Sequence, residues 1–102
     1  MSKMKFELPA PLESNAAYGK IKGLLSGEND FKKFDPKVSY TFDEPSKICN
    51  VSGSQFKATL QVVPKDSSSC QIMVEVEVPF ALALFKGKIK DILEKNLNRL
   101  LT

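Results

Sequence analysis

At 102 residues, with 42% hydrophobic and 26% charged side chains, the chain has the size of one ordinary domain with one modest core, which excludes disordered and fibrous classes and leaves residues 1–102 as a single domain. A formal charge of +3 favours solubility but falls short of the dense basic footprint of a nucleic-acid binder, so no nucleic-acid partner is expected. The start, MSKMKFELPAPLES, lacks the apolar stretch of a signal peptide, and Val78 to Phe85 is too short to cross a bilayer, so no transmembrane segment and a cytoplasmic location are expected.

Lys5 to Leu8 alternates and then meets Pro9 and Pro11, which reads as a short strand stopped by residues that cannot continue a ladder. Ser14 is a good N-cap for a helix whose apolar face is Ala17, Tyr18, Ile21, Leu24 and Leu25, with Gly27 as its C′ residue. Gly19 and Gly23 each cost that helix roughly 1 kcal/mol relative to alanine, so packing must hold it. Residues 27–37 combine turn formers with Phe31 and Phe34, and fit either a loop or one helical turn pinned by two rings.

From Val38 the period becomes two. Val38, Tyr40 and Phe42 alternate with polar residues up to a turn at Glu44-Pro45-Ser46. Ile48 to Val51 is a strand whose facing stays open, and Ser52-Gly53 signals a tight hairpin. Phe56, Ala58, Leu60 and Val62 form the dry side of the next strand, and Cys70, Ile72, Val74, Val76 and Val78 that of the last. Pairing of these two strands sets Lys57 opposite Glu75 or Glu77 on the wet side, as a cross-strand ion pair.

At 100° per residue, Leu82, Phe85, Ile89, Ile92, Leu93, Leu97 and Leu100 fall within an arc of about 140°, the stripe of a C-terminal helix packed on the dry sheet face. The fold class is therefore α+β in the order β-α-β-β-β-β-α, an antiparallel sheet with both helices on one face.

The chain has no histidine, which removes the commonest general base and metal ligand and excludes Ser-His-Asp, Cys-His and histidine-containing zinc sites. Cys49 and Cys70 form neither a CxxC pair nor half a zinc ribbon; they fit free thiols in a reducing compartment, Cys70 in the core and Cys49 half exposed. Glu75 and Glu77 share a strand face, where a solvated pair near Lys57 outweighs a catalytic dyad. No catalytic, cofactor-binding or metal-ligating residues are assigned, and the expectation is a protein that is not an enzyme.

One segment exceeds what a minimal core requires. Val78 to Phe85 is apolar on every side, and helical geometry turns Phe80 and Leu84 away from the core stripe. They pack elsewhere in the fold, line a pocket or meet a partner. Next to them Lys86, Lys88, Lys90, Lys95 and Arg99 outnumber Asp91 and Glu94, which suits a solvated face or an acidic or anionic partner. Phe80, Leu84 and Lys88 are the interface candidates.

The run GSQFKATLQV at 53–62, the alternating strand 70–78 and PFALALFKGKIKDILEKNLNRLL at 79–101 resemble the bacterial polyhydroxyalkanoic acid system proteins, also described as granule-region proteins. Pro79 stands where a glycine-like, freely turning residue is expected. The resemblance implies a link to storage-polyester granules and carries over no catalytic residues. The element order is also similar to a shortened helix-grip domain, a curved sheet around a long C-terminal helix. The function expected is a non-enzymatic accessory or binding protein whose apolar surface around 78–85 contacts a protein partner, itself as a homodimer, or a hydrophobic granule surface. The alternative is a small carrier of an apolar ligand in a cavity between the sheet and the C-terminal helix.

Overall fold

Alternating side chains build the sheet. In the computed structural model, which describes residues 2–27, 35–54 and 56–101, the strands are β1 (Ser2–Ala10), β2 (Ser39–Asp43), β3 (Ile48–Ser52), β4 (Lys57–Pro64) and β5 (Cys70–Val78). They pair antiparallel in the order β1-β5-β4-β3-β2. Strands β2 to β5 form the expected meander, and β1 closes the far edge on β5.

The register brings one face together. Met4, Phe6, Leu8 and Ala10 of β1 lie beside Val76, Val74, Ile72 and Cys70 of β5. Val74 and Val76 in turn lie beside Leu60 and Ala58, and these beside Cys49 and Val51. The facing of β3 is thereby settled. Helix α1 (Ser14–Ser26) and helix α2 (Lys86–Leu101) contribute Ala17, Tyr18, Ile21 and Leu25 and Ile89, Leu93, Leu97 and Leu101 to a single cluster with that face. Burying each large aliphatic side chain there contributes about 1.5–3 kcal/mol.

Several local expectations are corrected. Strand β1 runs through Pro9, which pairs with Gln71; an edge strand has one unladdered side and tolerates proline. Ser14 is the first helical residue and is buried, while Glu13 is the N-cap, accepting from the Asn15 and Ala16 N–H groups at 2.9 and 3.2 Å. Those backbone bonds, that of Asn15 foremost, hold the Glu13 carboxyl below its usual range. Gly27 ends α1 in extended backbone, its N–H bonding Leu24 O, so no left-handed C′ geometry is used. Residues 28–34, with Phe31 and Phe34, lie outside the described residues.

The expected tight turn at Ser52-Gly53 is a longer loop. Ser52 pairs with Lys57, and the Gly53 N–H bonds Phe56 O at 2.8 Å. Phe56 thus precedes β4 yet is buried. Lys57 does stand opposite Glu77, but the ion pairs on this face run from Glu75 to Lys3 and Lys5 of β1, at 3.6 and 3.8 Å. The expected Lys57 pair omitted β1, whose partner no local pattern reveals. Cys49, expected half exposed, is fully buried because β3 turns it to the dry face.

Helix α2 also starts later than its periodicity suggests. Residues Phe80–Phe85 form a 3₁₀ segment with a non-helical Leu82 (φ −110°, ψ 15°), which shifts the phase. Phe85 therefore leaves the stripe and is 44% exposed; within α2 itself Leu101 and the polar Asn96, three residues after Leu93, are also buried. Asn96 is accommodated by donating Nδ2–H to Ile92 O at 2.8 Å and accepting from Arg99 at 2.9 Å.

Candidate functional site

Pro79 ends β5 and fixes the start of the apolar segment with φ −57° and ψ 150°. Its carbonyl accepts from the Leu82 N–H at 2.8 Å, closing a tight turn. Leu82 is half-buried and packs against the core. With Leu82 as anchor, its neighbours are turned outward. Phe80 is 74% exposed and Leu84 96%, so two of the three interface candidates stand in solvent, flanked by exposed Ala81 and the partly exposed Phe85. Lys88, the third, is exposed on the first turn of α2 beside half-buried Lys86.

Sequence reasoning missed Phe85, which it placed in the core stripe. The signal that separates it is Pro79, since a proline-started turn resets helical phase before α2 begins. The same segment carries an electrostatic oddity. The first turn of α2 has no acidic residue and begins Lys86-Gly87-Lys88. Helix N-termini bear partial positive charge and favour anions. The two acids of α2 come later, and Glu94 is held by Lys90 at 3.4 Å.

The remaining candidates lie apart, on the wet face and in the core. An open depression of about 320 Å³ lies on the wet face, lined by Lys5, Glu7, Thr59, Gln61, Met73 and Glu75 among others. Its carboxylates are already engaged, Glu75 by Lys3 and Lys5 and Glu7 by Gln71 at 3.2 Å. On the other face, where a carried ligand would lie, Leu60, Ile72, Ile89, Leu93 and Leu97 are buried together. Cys49 and Cys70 are free and buried, and burial pushes the Cys49 thiol up to about 11. The Tyr18 hydroxyl is buried without a hydrogen-bond partner among the described residues, and burial raises its pKa. No group of three or more His, Cys, Asp or Glu side chains able to hold a metal ion occurs among the described residues. No helix among them is long and apolar enough to cross a membrane.

No family model matches the chain, and no curated protein matches it. Solved structures do. A START superfamily protein from Mycobacterium smegmatis superposes with a TM-score of 0.62 at 10% identity, over 96% of both chains. The fold is helix-grip, shared with START and Bet v1-like proteins among its structural neighbours. Norcoclaurine synthase from Thalictrum flavum is similar at a TM-score of 0.54 and 12% identity, over 96% of this chain and 94% of that one. The di-domain ARO/CYC protein BexL gives a TM-score of 0.73 at 8% identity, over 99% of this chain; the chain spans 45% of its length. At such identities the likeness is one of fold, and function must be sought in the site.

Proposed function

We propose that the protein is a non-enzymatic accessory or binding module that attaches through residues 80–85 to a hydrophobic surface. The sequence resemblance suggests a storage-polyester granule as the body that carries it. The exposure of Leu84, at 96% on a turn anchored by Leu82, is the observation that supports this reading most. Removing two large apolar side chains from water would contribute about 3–6 kcal/mol to attachment before orientational costs.

The experiment is adsorption to polyhydroxybutyrate particles. Wild-type protein is expected to sediment with the particles, and Leu84→Asp to remain in the supernatant while keeping its circular-dichroism melt. A folded Leu84→Asp that adsorbs like the wild type refutes the reading.

The carrier reading draws support from one fold neighbour, a norcoclaurine synthase holding dopamine and hydroxybenzaldehyde. The packed side chains between sheet and α2 weigh against it here. Saturable uptake of an apolar fluorescent probe, lost on Leu60→Phe but not on Leu84→Asp, would favour it.

A further inference from the structure

The sheet has two edges, β1 and β2. Strand β2 is five residues long. Strand β1 is nine, and among the described residues it is laddered on β5 alone. Its exposed Lys3, Lys5 and Glu7 alternate with half-buried Met4, Phe6 and Leu8, an order that decides what can pair with it.

We propose that the outer edge of β1 recognises a second copy of this chain, the two strands running antiparallel about a twofold axis at Phe6 and joining two five-stranded sheets into one. The unladdered side of a strand presents N–H and C=O groups that another strand can satisfy. Residues directly opposite in an antiparallel pair point to the same face. Both copies keep one dry side only when Met4, Phe6 and Leu8 meet apolar partners, and Lys3, Lys5 and Glu7 meet residues of the wet face.

The charges then choose among registers. Centred on Met4, the pairing opposes Lys3 to Lys5 on both sides of the axis. Centred on Lys5 or on Glu7, it opposes that residue to its own copy. Centred on Phe6, it sets Lys5 opposite Glu7 twice, Met4 opposite Leu8, and Lys3 opposite Pro9. Like charges directly opposite destabilise a strand pair and unlike charges stabilise it; of these four registers only the last has the second without the first. Lysines on an edge ordinarily discourage strand addition. Here they discourage the neighbouring registers.

The existing partners of these groups are compatible with the pairing. Lys5 reaches Glu75 of its own chain at 3.8 Å with its side chain 75% exposed, and Glu7 accepts from Gln71 at 3.2 Å. An ammonium has three donors and a carboxylate about four acceptor sites, so each keeps capacity for the other. Lys90 stands over the Phe6 ring at 5.6 Å and is paired with Glu94 at 3.4 Å, so its charge is compensated where the two rings meet. A strand edge about 30 Å long and about 10 Å deep presents roughly 300 Å². That is below the roughly 800 Å² per partner of a standard interface, so the dimer is reversible. Ser2 pairs with Val78, next to Pro79, and antiparallel pairing sends the two Ser2 ends apart. The surface is therefore separate from residues 80–85 and independent of the attachment reading.

The test is sedimentation equilibrium of the full chain from roughly 10 µM to roughly 1 mM, where wild type should show a monomer–dimer equilibrium. Lys5→Glu and Glu7→Lys each oppose like charges across the axis, and each should weaken dimerisation about tenfold or more. Mixed in equal amounts, the two variants again oppose unlike charges, and a heterodimer about as tight as the wild-type dimer should form. Both substituted side chains are exposed, so the circular-dichroism melts should stay close to wild type. Leu84→Asp should dimerise unchanged. A wild type that stays monomeric throughout, folded variants as dimeric as wild type, or a mixture that stays monomeric would each overturn the proposal. Loss of the dimer in folded Leu84→Asp would overturn it too, by moving the self-contact to residues 80–85.

Discussion

A Cβ placed on Gly53 would come within 2.3 Å of Asp35 Oδ2 and 2.9 Å of its Cγ. Asp35 is buried and accepts from the Ser54 hydroxyl at 3.0 Å and the Lys37 N–H at 3.1 Å. A carboxylate taken out of water needs such donors. It ties the segment before β2 to the β3–β4 loop, and Gly53 is there for room rather than for a positive φ, which no glycine of the described chain adopts.

Gly53→Ala should consequently cost about 1–3 kcal/mol in urea melts. In an Asp35→Ala background most of that cost should vanish, because the clashing atoms are gone. Equal costs in both backgrounds would show that the carboxyl is not the obstacle. Gly19 and Gly23 in α1 behave oppositely. A Cβ at either meets nothing within 4 Å, so each change to alanine should raise stability by about 0.5–1 kcal/mol.

Lys47 gives a third backbone prediction. It sits at φ 55° in the turn between β2 and β3, with its N–H bonded to Glu44 O at 3.2 Å and its carbonyl accepting from the Val62 N–H at 3.0 Å. Left-handed backbone is costly for a residue with a Cβ. Lys47→Gly should raise stability by about 0.5–1 kcal/mol despite the greater unfolded-state freedom of glycine. A loss of stability would mean that the lysine side chain contributes more than its backbone strain costs.

These positions also mark where sequence was readable. The dry face of the sheet follows from period-two alternation, and α1 from Ala17, Tyr18, Ile21 and Leu25, because each signal is local. The contact of Gly53 with Asp35 joins residues 18 apart in the chain and has no periodic trace. The pairing of β1 with β5 likewise depends on closure of the whole sheet. At the candidate site, an apolar excess over core needs pointed to Phe80 and Leu84. The phase break at Leu82 is why Phe85 falls in the core stripe by periodicity yet stands 44% exposed in the fold. Periodicity reads one continuous helix across a turn that Pro79 starts afresh.

The cysteines make a pH prediction. The Cys49 thiol is raised by burial from 9 to about 11. Between those values the folded state keeps a proton that the unfolded chain has lost, so stability should fall as pH rises from about 9 to about 11 and then level, by the order of 2 kcal/mol. Cys49→Ala should flatten that part of the profile relative to wild type. Both thiols should also resist a thiol reagent until the protein is denatured, whereupon two should titrate. Rapid labelling of the native protein would show that β3 opens readily.

The last prediction separates the two kinds of leucine near the C-terminus. Leu93 is 1% exposed and packs in the central cluster, whereas Leu84 is 96% exposed nine residues earlier. Hydropathy does not distinguish them, yet their burial assigns opposite energetics. Leu93→Ala removes buried methyl groups and leaves a cavity, so it should cost about 2–5 kcal/mol. That is a large share of the stability of a small domain. Leu84→Ala removes contacts with water alone and should change stability by less than about 0.5 kcal/mol. Urea melts of the two variants beside wild type check both values at once. Comparable losses would place Leu84 inside the fold and leave nothing at residues 80–85 for a partner to bind. A mild Leu93→Ala would show instead that α2 is held to the sheet by something other than its buried stripe.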